Sequence, residues 1–426
     1  MHREMITSIT SKTLTKIKEN FAEPDSLSKY IFSHSSSYDS LDGSLSNGIP
    51  GLIILLSSFP EYFDENFIHN YMKEIGSLIN NNSVDSLSLW TGMSGIAFAT
   101  NYHIKNHANS YHNFLDDLNK LILDSTESYI LSFKENIKKN QITSFDFDTI
   151  FGLSGIARYL LDCKLYKQSE VTKTIEDILT LFIELSYKDI NNKAIMETDK
   201  TNRDSLLKKT KNGYLDTGLA HGLCGPLMIL SIALEQGYEL PNQRGAIEHS
   251  LEKLTKLANL DENSILNWSG KIEPSNNITS SDAMYGWCYG LPGIARTMWV
   301  SAQAIQSQLY MNYSLSLFKQ LSTIPIKNLN IKAAPFCHGY SGLLTILYLM
   351  YLDTKDPDFQ KFYNKLLSHI FDLYEESNLL SFCDYNHQND RSLGVGLLEG
   401  TSGIILSINS ITKNSYPQWA KAFLLF

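Results

Sequence analysis

Residues 148–161 read DTIFGLSGIARYLL, a Gly-x-x-Gly turn followed by an apolar run, and the repetition of this stretch decides the fold. Regular self-similarity of this kind is the signature of a repeat architecture. Each glycine pair permits a tight turn and a close backbone approach where the next helix begins. Seven copies of the turn occur, at Gly48–Gly51, Gly92–Gly95, Gly152–Gly155, Gly222–Gly225, Gly290–Gly293, Gly339–Gly342 and Gly400–Gly403.

The apolar runs behind the turns, such as 52–55 and 227–230, predict helices that are buried on most sides. Between the turns, apolar residues at helical spacing in 171–185 and 246–258 predict half-exposed amphipathic helices. One buried and one half-exposed helix in each repeat predict an all-α fold, a seven-fold α/α toroid with two concentric rings of helices. An open solenoid is the alternative that gives the same pattern.

We expect a single catalytic domain over residues 1–426. Two polar stretches, 187–216 and 259–282, are too long to be plain connections between helices. Either could carry some strand, and 187–216 is the predicted insertion within the toroid. The seven turns should collect at one end of the ring, so the functional site is expected at that end.

Composition narrows the class of protein. The chain has 426 residues, of which 43% are hydrophobic and 19% charged, so it can bury a sizeable core. The net charge of -9 argues against a nucleic-acid partner, because phosphates are neutralised by an excess of basic residues. No apolar run approaches the roughly 20 residues that a spanning helix needs. The N-terminal residues also lack the apolar core of a secretory signal. A cytoplasmic enzyme is predicted, with peripheral attachment to a membrane complex as an alternative.

Three neighbouring turns carry cysteine or histidine residues that could bind a metal or transfer a proton. The five cysteines are odd in number and widely spaced, which does not fit a disulfide framework. If the turns meet at one end of a ring, Cys288, Cys337 and His338 offer two thiolates and an imidazole. That donor set suits zinc, with a fourth position open to a substrate. Soft thiolate ligands disfavour calcium and magnesium.

Structural roles compete with these functional ones. A single cysteine or histidine near a helix start is usually part of the core. His221, one residue before Gly222, is a fourth ligand, a general acid or base, or a packed histidine. Asp148 is either a carboxylate at the same end or a turn cap, and Asp146 is a competing choice. We expect structural roles for the other cysteines, Cys163, Cys224 and Cys383.

These motifs resemble the lanthionine synthetase C-like family. The matching strings are GLAHGLCG at 218–225, WCYGLPG at 287–293, FCHGYSG at 336–342, DTIFGLSGIARYLL at 148–161 and LLEGTSGIIL at 397–406. The resemblance spans essentially the whole chain. It implies a seven-fold α/α toroid with one catalytic zinc ion.

The resemblance also implies roles for individual residues. Zinc ligands are expected at Cys288, Cys337 and His338, a proton-transfer histidine at His221, and a supporting carboxylate at Asp148. Tyr289 and Trp287 are expected to line the pocket. The chain departs from its relatives at Met284, where they carry an arginine four residues before the first cysteine ligand.

The implied activity is zinc-dependent addition of cysteine thiols to dehydroalanine or dehydrobutyrine in a precursor peptide that bears a leader. The products would be lanthionine and methyllanthionine rings. A dehydratase and an exporter of the same pathway are the implied partners. The alternatives are a non-catalytic, zinc-containing peptide-binding subunit, and an enzyme that adds a small-molecule thiol to dehydrated residues. Prenyl-transfer and glycan-cleaving enzymes share α/α toroids but do not carry the WCYG and CHG strings.

Overall fold

The computed structural model describes residues 2–36, 41–107, 110–163, 167–188, 214–272, 284–385 and 390–426. The chain forms two compact units. The first contains Met1–Asn119 and Asn330–Ala420, and the second contains Lys120–Leu329 and Lys421–Phe426. The predicted single domain over 1–426 stays a prediction.

The first unit is helical, with one short hairpin. Its helices are α1 (His2–Asn20), α2 (Pro24–His34), α3 (Ile49–Ser58), α4 (Glu65–Asn80), α5 (Met93–His107), α14 (Tyr340–Thr354), α15 (Pro357–Asp372) and α16 (Thr401–Ser410). The strands β5 (Asp384–Tyr385) and β6 (Arg391–Ser392) pair antiparallel. Local sequence sets the helix starts. Before α15, for example, Asp356 accepts the backbone N–H of Asp358 at 2.9 Å, and Pro357 takes the first helical position.

The second unit holds the remaining helices. Helix α6 (His112–Lys139) begins in the first unit and continues in the second. It is followed by α7 (Ser144–Phe147), α8 (Leu153–Leu160), α9 (Gln168–Ser186), α10 (Cys224–Glu235), α11 (Gln243–Leu257), α12 (Leu291–Ala304) and α13 (Gln308–Leu321). Short 3₁₀ helices cover Ile326–Asn328 and, near the C-terminus, Gln418–Phe423.

Most helices that follow the glycine turns are buried along nearly their whole length, as predicted, whereas α5 is buried mainly in its first half. Every residue of α8 and α12 is buried except Gln303, and every residue of α3 is buried except Ser58, which is half-buried. Within the first unit, α3 contacts α4, α14 contacts α15, and α16 contacts α1. Within the second, α8 contacts α9, α10 contacts α11, and α12 contacts α13. Each of these pairs joins a buried helix to an amphipathic one, which confirms the predicted repeat unit.

The long polar stretches do carry strand where they are described. In 259–282, β2 (Asn259–Leu260) pairs with β3 (Leu266–Asn267). Strand β4 (Lys271–Ile272) pairs with β1 (Leu215–Asp216), which places Lys271 opposite Asp216. Most of the predicted insertion at 187–216 lies outside the described residues. Among the helices that are described, none is long and apolar enough to cross a membrane.

Candidate functional site

Backbone hydrogen bonds join successive glycine turns of the second unit side by side. The N–H of Thr149 donates to the carbonyl of Ala220 at 3.0 Å, and the N–H of Leu219 donates to the carbonyl of Cys288 at 3.0 Å. The side chain of Thr149 also donates to the carbonyl of Leu219 at 2.6 Å. The third, fourth and fifth turns therefore lie next to one another, which brings together residues that are far apart along the chain.

The first unit joins its own turns by the same pattern. The N–H of Ser46 donates to the carbonyl of Trp90, and the N–H of Leu398 donates to that of Ser46. The N–H of Cys337 donates to the carbonyl of Leu398 at 2.9 Å. Each of these bonds joins positions two residues before the first glycine of a turn. The prediction that turns gather at a common edge is confirmed within each unit.

Asp148 and His221 form a polar pair that joins the third turn to the fourth. Nδ1 of His221 lies 2.6 Å from Oδ2 of Asp148. The other carboxylate oxygen of Asp148 accepts the backbone N–H groups of Phe151 and Gly152, at 2.6 and 2.8 Å. Asp148 is fully buried, whereas 32% of the His221 side chain is exposed. One carboxylate thus caps the turn before α8 and also contacts the histidine, while the catalytic role of Asp148 stays a prediction.

The surroundings of His221 favour its charged form. Burial lowers the pKa of the imidazole, but the hydrogen bond and negative charge of Asp148 act against it, together with the charges of Asp216 and Cys288. The net effect raises the pKa of His221 from 6.5 to about 9. Because Nδ1 faces Asp148, Nε2 is the nitrogen from which the ring can deliver a proton to a substrate.

Tyr289, next to Cys288, is positioned by a second buried carboxylate. Its hydroxyl donates to Oδ2 of Asp216 at 2.9 Å, and Oδ1 of Asp216 accepts the N–H of Gly218 at 2.8 Å. A side chain at Gly218 would meet the Tyr289 ring at 2.7 Å, so glycine is required there. Gly290, the residue after Tyr289, has φ of +87°, a left-handed conformation that glycine adopts without strain. The Tyr289 ring centroid lies 6.4 Å from that of His221.

Asp216 was not predicted to be a site residue, although its position relative to a glycine turn indicates a structural role. It precedes Gly222 by the same six residues that separate Asp42 from Gly48. In both turns the aspartate accepts the N–H two residues ahead, that of Ser44 at 2.9 Å in the case of Asp42. Burial raises the pKa of Asp216 to about 6, although His221, Gly218, Tyr289 and Lys271 lower it in part. Burial and the nearby Asp216 also raise the pKa of Tyr289 well above 10.

The predicted zinc ligands belong to both units. Cys288, in the second unit, is buried, and neither Cys288 nor Cys337 is in a disulfide. In the first unit, Cys337 is half-buried and Nε2 of its neighbour His338 lies 3.5 Å from Oδ1 of Asp384. A carboxylate beside a histidine ring is the usual second partner of a metal-binding imidazole, so the donor chemistry fits zinc. Across the described part of the chain, no three His, Cys, Asp or Glu side chains are grouped so as to hold a metal ion.

Other predicted residues have structural roles. Trp287 was expected to line a pocket, but it is fully buried and its indole N–H donates to the carbonyl of Phe423 at 2.9 Å. Cys224 is a core residue as predicted; its thiol donates to the carbonyl of Thr217, and burial raises its pKa to about 12. Asp146, the competitor of Asp148, accepts from Thr143 and Asn136 instead of contacting His221.

Comparison with known proteins defines the class. The lanthionine synthetase C-like family matches residues 39–424, so the chain belongs to this family. This membership and the relatives below confirm the prediction of a thioether-forming lanthionine cyclase.

Two relatives make the comparison specific. The chain is 28% identical to the nisin biosynthesis protein NisC of Lactococcus lactis subsp. lactis over 398 residues, which cover 90% of this chain and 88% of that protein. It aligns with the solved structure of a nisin cyclase with a TM-score of 0.75 at 24% identity, covering 98% of this chain and 97% of the other. The likeness confirms the predicted fold class, an all-α α/α toroid.

Proposed function

We propose that this protein is a zinc-dependent lanthipeptide cyclase. Its substrate would be a leader-bearing precursor peptide in which serine and threonine have already been dehydrated. The observation that carries the proposal is the Asp148–His221 pair, a positioned proton donor beside Tyr289 and Cys288 in a chain of this family. The reaction forms a carbon–sulfur bond between a substrate cysteine and the β-carbon of a dehydrated residue.

Zinc would be held by Cys288, Cys337 and His338, with Asp384 as the carboxylate partner of the histidine. When bound, the ion lowers the pKa of a ligated thiol, so that a substrate cysteine is a thiolate near neutral pH. Two thiolates and one imidazole leave a fourth position for that sulfur.

His221 would act as the general acid. Attack by the substrate thiolate on the β-carbon places negative charge on the adjoining carbonyl, and the α-carbon must then gain a proton. With a pKa raised to about 9, the His221 ring carries that proton at neutral pH and can release it from Nε2. Asp148 holds the ring in position through Nδ1 and balances its charge. The Tyr289 hydroxyl, held by Asp216, would line the same pocket.

The wider setting follows from the same proposal. A dehydratase must act before this enzyme, because the substrate contains dehydrated residues, and an exporter would remove the finished peptide. We expect the cyclase to act in the cytoplasm or at the membrane surface within a biosynthetic complex. The segment 187–216 would be the insertion that contacts the peptide.

The test combines metal content with ring formation. The purified protein should hold about one zinc ion per chain. It should also consume the free thiols of a dehydrated peptide, and mass spectrometry after thiol alkylation measures how many thiols remain. Cys337→Ala should lose most of the zinc and the activity. Cys383→Ala, a half-buried cysteine of the same unit outside the donor set, is the matched control and should keep both. A metal-free wild-type protein that cyclises the peptide equally well would refute the zinc assignment.

A further inference from the structure

A strip of stacked rings runs from the surface of the second unit to the proposed general acid. Phe145 stacks on Phe151 with ring centroids 5.0 Å apart and planes inclined by 26°. Phe151 stacks on His221 at 5.8 Å and 25°. We call Phe145, Phe151 and His221 the aromatic strip. Its outer end is open, because 45% of Phe145 is exposed.

The fold holds Phe145 at the surface. Phe145 lies on α7, whose first turn is fixed by Asp146. That carboxylate accepts the N–H and hydroxyl of Thr143 at 2.7 and 3.1 Å and the amide of Asn136 at 2.8 Å. Phe147, two residues further, is buried and anchors the helix. Because the exposed ring of Phe145 is joined to the proposed general acid through continuous ring contacts, it offers an aromatic face to a peptide bound there.

The chemistry of the strip selects its occupant. Its two outer rings offer flat, uncharged faces, and the nearby carboxylates of Asp146 and Asp148 are engaged in the cap and with His221. The strip therefore suits an apolar or planar unsaturated side chain. A peptide that extends outward from a residue reacting at His221 would meet these rings, because they continue from the imidazole to the surface.

We propose that Phe145 and Phe151 bind the apolar side chain next to the dehydrated residue in the precursor peptide, and so determine which residues react. This rests on the proposed cyclase function. The strip lowers KM by binding the peptide, while the proton transfer itself stays with His221.

The experiment compares Phe145→Ala with Leu309→Ala. Leu309 is 72% exposed on α13 of the same unit and serves as the control for loss of exposed apolar surface. With a dehydrated peptide whose flanking residue is isoleucine, Phe145→Ala should raise KM about tenfold, equivalent to about 1.4 kcal/mol. Its kcat and zinc content should stay near those of the wild type. Phe145→Tyr should restore the KM.

A second peptide, with aspartate at the flanking position, completes the test. The wild type should prefer the isoleucine peptide, and Phe145→Ala should lose that preference. Equal KM values and equal preference for Phe145→Ala and Leu309→Ala would overturn the proposal. So would concentration-dependent self-association of the wild type that Phe145→Ala abolishes, because the strip would then bind a second copy of the chain. Failure of the zinc-loaded wild type to cyclise either peptide would refute the function itself.

Discussion

Asp148→Asn removes one negative charge while almost preserving the shape of the side chain. The amide oxygen can still accept the N–H groups of Phe151 and Gly152, so the turn before α8 should persist. The amide nitrogen would face Nδ1 of His221, 2.6 Å away in the native protein, and it can only donate a hydrogen bond. The ring is then held in a neutral tautomer, whose Nε2 proton is far less acidic.

The size of the effect follows from the pKa of His221. At pH 7.5 a ring with a pKa of about 9 is protonated in roughly 97% of molecules. Without the hydrogen bond and charge of Asp148, burial opposes only the weaker effects of Asp216 and Cys288, and we expect a pKa of roughly 6.5 or lower. The protonated share then falls to roughly 9%, a tenfold loss. Loss of ring orientation adds to it, so kcat/KM should fall by about 10²–10³.

The assay is kcat/KM for ring formation as a function of pH. The protonated acid is present below its pKa, so its contribution should decline as pH rises through about 9 in the wild type. In Asp148→Asn the decline should occur through roughly 6.5, with partial recovery of activity on acidification. Asp146→Asn is the control for the pH of the decline, because that carboxylate caps α7 and does not contact His221; whatever it does to KM through α7, its activity should still decline through about 9. An Asp148→Asn variant with wild-type activity, and with kcat/KM still declining at the same alkaline pH, would refute the role of the Asp148–His221 pair.

Two further predictions concern stability. Burial raises the pKa of Asp216 to about 6, so the folded protein loses stability as the pH rises from about 4 to about 6, where only the unfolded chain has released the proton. From pH 4 to 7, the free energy of unfolding of Asp216→Asn should therefore rise by roughly 2–3 kcal/mol relative to wild type. A constant difference between the two proteins in urea titrations at these pH values would contradict this. Arg158 is buried and donates to the carbonyl of Lys421 at 3.0 Å. Arg158→Leu should therefore lower the free energy of unfolding by about 2–4 kcal/mol and lower the thermal midpoint. Arg244 is exposed, so the control Arg244→Leu should leave the thermal midpoint nearly unchanged.

The helical repeat was predictable because its signals are local. A Gly-x-x-Gly turn before an apolar run specifies a helix start and a helix buried on most sides, and α3, α8, α10 and α12 follow this pattern. The amphipathic patterns in 171–185 and 246–258 likewise correspond to α9 and α11. The shared position of the turns within each unit also follows, because the same backbone bonds recur between equivalent residues.

Side-chain partnerships across turns depended on the tertiary structure. Asp148 was the predicted carboxylate and Asp146, two residues earlier, the competing choice; α7 ends at Phe147, and of the two it is Asp148 that contacts His221. Trp287 was predicted to line the pocket, but its side chain is fully buried in the core.

The sequence alone determined the family, the repeated helix pairs and the residue types available at each turn, because these depend on short-range patterns. The tertiary structure alone decided that Asp148 pairs with His221, that Asp216 holds Tyr289, and that Phe145 and Phe151 extend the row of rings. Asp148 and His221 are 73 residues apart, as are Asp216 and Tyr289. Hydrogen bonds between neighbouring turns select such partners, and a local stretch of sequence does not show which turns lie side by side.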